Sequence, residues 1–167
     1  MASARIGCLV LVLAGFLGLQ AQTSSEVKNK DVQEFVRQLA SNRKTIADAY
    51  VRWREAVKAK DLDAVLAAYT DDATVLPDEH AAVSGKTAVR AFYAELFAQN
   101  QALKEEKFEN INSVQSGDLL IDSTKFSGIL TKDGKEVAFK GNRLVVWKRD
   151  FQRPWKILRD TWNRSEP

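Results

Sequence analysis

Asp133-Gly134 stands between two stretches in which apolar and polar residues alternate. An Asp-Gly pair in that setting closes a two-residue hairpin turn, because both positions need a positive φ. The turn fixes the register of the strands on either side. Leu130 then faces Val137, Thr124 faces Arg143, Asp122 faces Val145 and Leu120 faces Trp147. In the same register Gly128 meets Phe139, and Phe126 meets Gly141. An aromatic ring laid over a cross-strand glycine supports a sheet register, and here it occurs twice. This face carries the aromatics and is expected to look inward. The opposite face carries Ser123, Lys125, Ser127, Lys140 and Asn142, which suits solvent or a partner.

The alternation extends on both sides, with strands expected at about 107–115, 118–131, 135–149 and 154–163. Their connections are Ser116-Gly117-Asp118, Asp133-Gly134 and Asp150 to Arg153, which makes an antiparallel meander. A four-residue loop from 149 to 154 sets Asp160 opposite Arg143 and Trp162 opposite Gly141. A three-residue loop at 116–118 pairs Phe108 with Phe126 and Val114 with Leu120. It also puts Asn110 beside Thr124 and Asn112 beside Asp122. The inner face then has an apolar rim and a polar middle of Asn110, Asn112, Asp122, Thr124, Arg143 and Asp160. A core gains nothing from so many polar groups unless they pair or meet something. Two readings stay open: a self-satisfied network with Arg143 pinned between Asp122 and Asp160, and a ligand-lined cavity.

Ahead of residue 103 the pattern is helical. Apolar residues recur at Val32, Phe35, Val36, Leu39, Ile46, Ala49, Tyr50, Trp53 and Val57, one face of a helix. Ser41-Asn42 is expected to break it into helices at 31–40 and 43–59. Asp61 begins a short helix with Leu62, Val65, Leu66 and Tyr69 on its apolar side. Thr74-Val75-Leu76 reads as a short strand stopped by Pro77. Ser84 caps a third helix whose inner face is Val89, Phe92, Tyr93, Leu96 and Phe97. Helices first and sheet second gives an α+β domain, with the helices on one face of a curved antiparallel sheet.

The first residues read as a targeting segment. Arg5 is followed by an apolar or small-residue run from Ile6 to Leu19, then by a small residue, Ala21, and polar Gln22-Thr23-Ser24-Ser25. That is a secretory signal peptide over 1–21, and the protein is expected to be exported, periplasmic or secreted. Residues 22–42 then form a polar leader and the short helix, and 43–164 the domain. The single Cys, Cys8, leaves with the signal, so no disulfide is expected. One His, His80, gives too few soft ligands for zinc, and no metal or cofactor is expected. A net charge of +3 spread over both signs gives no broad basic surface, so nucleic acid is not an implied partner. No membrane span is expected after cleavage.

Three further motifs carry bland readings. Ser84-Gly85-Lys86-Thr87 resembles the end of a phosphate-binding loop, but His80 stands where that loop needs a glycine, so it reads as a helix start. His80 lies in a polar loop by Asp78 and Glu79. Lys104 to Lys107 is a mixed-sign, solvated stretch.

The run Trp53, Lys60-Asp61-Leu62-Asp63, Tyr69 to Val75, Ser84-Gly85-Lys86, Ala91-Phe92-Tyr93, Leu144 to Arg149 and Trp155-Lys156-Ile157 resembles the nuclear-transport-factor-2-like superfamily. Within it the likeness is to the SnoaL-like and uncharacterised branch, over about residues 43–164. The resemblance implies a cone-shaped α+β fold, a deep apolar pocket between helices and sheet, and homodimers through the sheet. Relatives of this kind include isomerases, cyclases, dehydratases and hydrolases as well as non-enzymatic binding and assembly domains, so fold alone does not give function. In the isomerases an Asp base ends the first strand, where this chain has Val75-Leu76-Pro77-Asp78.

The pocket is expected to be lined by Tyr50, Trp53, Tyr69, Asn110, Asn112, Asp122, Thr124, Arg143, Asp160 and Trp162. The expected activity is binding of a small, partly apolar molecule, with Arg143 clamping a carboxylate or enolate group. The alternative is a cofactor-free isomerase, cyclase or hydrolase, in which Asp122 or Asp160 moves a proton beside Arg143. A homodimeric assembly module is the third possibility.

Overall fold

A computed structural model of the chain describes residues 7–99, 101–151 and 153–165. Helix α1 runs Gly7–Ala59 and α2 Leu62–Ala67. Strand β1 is Tyr69–Leu76, β2 Val83–Ser84, helix α3 Lys86–Ala98, β3 Gln101–Ser116, β4 Leu119–Lys132, β5 Lys135–Lys148 and β6 Lys156–Ser165. The chain divides into two compact units, Met1–Lys44 and Thr45–Pro167. The described part of the first is helical throughout. The start of the expected signal segment, including Arg5, lies outside the described residues. Among the described residues no helix is long and apolar enough to cross a membrane.

The expected break at Ser41-Asn42 is corrected: α1 is one continuous helix. Neither residue is a strong breaker, and Gln38 donates to the Asn42 side chain at 3.0 Å, an i to i+4 tie that supports the turn.

In the second unit the six strands form one sheet in the order β2-β1-β6-β5-β4-β3. The meander β3 to β6 is antiparallel, as the alternation predicts. The added feature is β1, which lies parallel to β6 and starts at Tyr69. Tyr69 is therefore a strand residue, not part of the α2 face. Asp61 caps α2 as read, accepting from the Ala64 amide at 3.0 Å. Ser84 does not cap α3: it pairs with Thr74 in β2, and Gly85 holds the cap position at φ 83°.

The β4–β5 register is the one the Asp133-Gly134 turn dictates, with Thr124 on Arg143 and Leu120 on Trp147. Both turn residues have positive φ, 51° and 77°. A Cβ at Gly128 would stand 2.6 Å from Phe139 Cζ, and one at Gly141 2.6 Å from Phe126 Cζ. The rings thus occupy the space the glycines leave.

The two flanking registers are corrected. On β3, Phe108 faces Phe126 and Asn110 faces Thr124, but the register shifts between Asn110 and Asn112. Beyond it Asn112 faces Ser123, Ser113 faces Asp122 and Val114 faces Ile121. The bulge absorbs one residue and turns Asn112 to the outer face. The turn then shrinks to Gly117-Asp118, with Gly117 at φ 57°. On β6, Trp162 faces Arg143 and Asp160 faces Val145, because the 148–156 connection is longer than expected and a bulge follows Val146. The slip is two residues, so Asp160 and Trp162 stay on the inner face. The core gathers there: Tyr69, Leu120, Val145, Trp147 and Ile157 from strands, with Ile46, Trp53, Val65 and Val89 from helices.

Candidate functional site

Asp160 is fully buried in β6, and a buried carboxylate must be paired. Arg143 supplies the partner from β5 in a bidentate geometry: Nε donates to Oδ1 at 2.8 Å and Nη2 to Oδ2 at 2.7 Å. The diagonal position of the two residues, set by the register, suits the length of the arginine. Burial is the largest single influence and disfavours the guanidinium charge, but the charge and hydrogen bonds of Asp160, with Tyr50 and Tyr69 beside it, together outweigh burial and hold Arg143 protonated well above its ordinary value. Its Cζ lies 4.1 Å from the centre of the Trp53 ring, 5.6 Å from Tyr50 and 6.0 Å from Trp162. A desolvated cation over an aromatic face gains about 2 kcal/mol.

Behind the pair runs a chain of phenols. Tyr69 Oη donates to Asp160 Oδ2 at 2.7 Å and lies 2.7 Å from Tyr93 Oη. Tyr69 has one proton and gives it to the carboxylate, so Tyr93 must be the donor to Tyr69. Burial first, then the charge of Asp160, raises both phenols above their ordinary range. Both are neutral donors at physiological pH.

The second unit encloses a cavity of ≈ 460 Å³. Its apolar wall is aromatic: Trp53, Phe92, Tyr93, Phe97, Phe108, Phe126, Phe139 and Trp162. Arg143 and Glu106 are its deeper charged residues. Its exposed rim carries Glu79 and His80. The His80 ring sits 6.0 Å from that of Phe92. Asp78, also at the rim, accepts from the Arg164 amide at 3.2 Å, which ties the β1 exit to β6.

Of the residues expected at the site, Trp53, Arg143 and Trp162 line this cavity. Tyr69 and Asp160 stand behind Arg143 and hold it. Tyr50 touches the Trp147 ring edge-on at 5.1 Å, and its hydroxyl faces Thr124 without reaching hydrogen-bond geometry. Burial raises that phenol too. Thr124 is buried and reaches the Arg143 carbonyl at 3.4 Å. Asp122 is buried and accepts from Ser113 Oγ at 2.5 Å, a partner the unshifted register hid. Asn110 and Asn112 are exposed, and Asn110 donates to Ser113 at 3.1 Å. Asn110 keeps its expected place opposite Thr124 but is exposed there, and Asn112 lies on the outer face. No cluster of three or more metal-ligating side chains occurs among the described residues.

Two residues of the site were not in the expected set. Tyr93 was placed only on an inner helix face. Glu106 was assigned to a solvated stretch, yet its side chain is only 14% exposed. It faces Gly128, on the same side as Phe108. The signal was its even spacing from Phe108 in a strand that begins at Gln101, six residues before the expected start at 107. Burial raises the Glu106 carboxyl above its ordinary value, with Arg143 and Arg54 opposing.

The profile of the SnoaL-like domain matches residues 50–150. The chain belongs to the SnoaL-like family. Solved structures similar to it include a ketosteroid isomerase-like protein from Erwinia carotovora atroseptica, at 22% identity and TM-score 0.66, covering 74% of this chain and 96% of that one. A nuclear-transport-factor-2-like protein from Cytophaga hutchinsonii matches at 17% identity and TM-score 0.61, covering 74% and 98%. A conserved protein from Planctomyces limnophilus matches at 18% identity and TM-score 0.67, covering 75% and 98%. No curated protein matches. At these identities the likeness is one of fold: the nuclear-transport-factor-2-like α+β architecture of this SnoaL-like chain.

Proposed function

We propose that this SnoaL-like chain is an exported protein that holds a small, partly apolar molecule in the cavity beside Arg143. The observation that carries the reading is an aromatic-walled cavity of ≈ 460 Å³ with a fixed guanidinium in its lining. Ligand cavities span roughly 300–1,000 Å³ and pair apolar walls with a few placed polar groups. Arg143 spends Nε and Nη2 on Asp160. Its remaining nitrogen, Nη1, is the donor for an oxygen of the ligand. The ion pair and the phenols behind it prevent the arginine from turning away, so the donor is preorganised.

1-Aminoanthracene, a neutral fluorescent ring compound, tests this by titration. Saturable one-to-one binding is expected, and Leu130→Trp, which fills the cavity wall without touching the Arg143–Asp160 pair, removes it while the fold persists. Binding that never saturates, or that Leu130→Trp leaves unchanged, contradicts the reading.

The second reading, a cofactor-free isomerase, cyclase or hydrolase, draws support from Glu106, a carboxyl raised by burial in the same cavity as Arg143. Its mark would be turnover lost in Glu106→Gln with the fold kept. For partners, we propose a homodimer through the outer sheet face, where Val114, Ile121 and Leu144 are exposed.

A further inference from the structure

Glu106 is an incompletely satisfied acceptor. Its carboxylate makes no hydrogen bond within the described residues. Arg54 Nε stands 3.6 Å away, beyond hydrogen-bond reach, and is itself buried without a hydrogen-bond partner. Arg54 instead spends Nη2 on the Glu106 carbonyl at 3.1 Å and lays its guanidinium 5.2 Å from the centre of the Phe108 ring. Arg54 is therefore held by other contacts and pairs with Glu106 only as an ion at 3.6 Å, so the carboxylate keeps accepting capacity for a molecule in the cavity Glu106 lines. A largely buried carboxylate in that state gains by accepting a hydrogen bond from whatever fills the space.

We propose that Glu106 selects the ligand: the cavity takes ring-bearing molecules that carry an O–H or N–H donor where they meet β3. Arg143 supplies a donor and Glu106 an acceptor, so the matching molecule has an acceptor at one polar position and a donor at another, with an apolar body between. An ether or a fully alkylated amine presents no proton to Glu106 and leaves it unpaired. This inference rests on reading the cavity as a binding site.

The test compares 2-naphthol with 2-methoxynaphthalene, which differ by one methyl on the donor oxygen, by calorimetric titration of the full chain. 2-Naphthol is expected to bind about ten-fold more tightly, the usual gain from a hydrogen bond to a charged acceptor. Glu106→Leu is expected to erase the difference. Glu106→Gln retains a weaker, neutral acceptor and shrinks it. The groups facing Glu106 are Arg54 and Lys58 from α1, Arg143 from β5 and Tyr93 from α3. In the wild type the preference should collapse as acid protonates the carboxylate, while in Glu106→Gln it stays flat with pH. That profile decides the matter if Glu106→Leu fails to fold. Equal binding of the two probes, or a preference that survives Glu106→Leu, overturns the selection by Glu106 and leaves the binding site standing. If neither probe binds, the binding site falls and the selection with it.

Discussion

Asp160 and Arg143 depend on each other, and single substitutions expose the dependence. Asp160→Asn leaves a buried guanidinium without its counter-charge and is expected to cost about 3–5 kcal/mol in denaturant unfolding. A loss under 1 kcal/mol would mean that the pair is not held as described. Glu106 behaves differently, because its carboxyl titrates higher in the fold than in the unfolded chain. The folded state therefore holds the proton longer. The stability this contributes is full below the ordinary value of 4.5 and is lost as pH rises through the higher folded value. Glu106→Gln removes that loss, so its stability relative to wild type should climb between pH 4 and 8 in paired urea melts. A gap independent of pH would contradict the assignment. Arg143, Asp160 and Trp162 were legible from parity alone, since a residue's face survives a two-residue slip. Glu106 was not, because a charged residue just ahead of an expected strand looks solvated until the strand is given its full length.

At the scale of elements, one turn carried most of the information. Asp133-Gly134 leaves a single pairing for fourteen residues on either side, and two glycine–aromatic contacts confirm it. Gly128→Ala would press a methyl into the Glu105 carbonyl and the Phe139 ring, with Cζ only 2.6 Å away. A cost of about 1–3 kcal/mol is expected for such overpacking, read by thermal unfolding. A neutral outcome would mean that the ring does not lie over the glycine. The β3 and β6 registers were misread because each contains a bulge, and a bulge inserts a residue without a reliable sequence mark. The consequence depends on the total slip, which in β6 adds a longer connection to a one-residue bulge. A one-residue shift moved Asn112 out and Ser113 in, whereas the two-residue slip in β6 kept Asp160 and Trp162 facing inward. The parallel β1–β6 contact was invisible for another reason: a long-range pairing has no turn to announce it.

For the whole molecule, the order of helices and sheet sufficed for the α+β class and the family likeness, because alternating and helical periods separate cleanly near residue 103. The continuity of α1 was missed where two polar residues interrupted its apolar stripe without breaking its backbone. The proposed dimer makes its own prediction. A charge at Ile121, exposed on the outer sheet face, should halve the sedimenting mass while leaving probe binding intact, and an unchanged mass would remove that interface from the account. The central claim is that the cavity beside Arg143 holds a small molecule, and a native mass spectrum of the protein purified from its own host tests it most directly. A reproducible mass excess that disappears on denaturation and is absent in Leu130→Trp is expected. A clean mass of the bare chain in both proteins would contradict a held ligand.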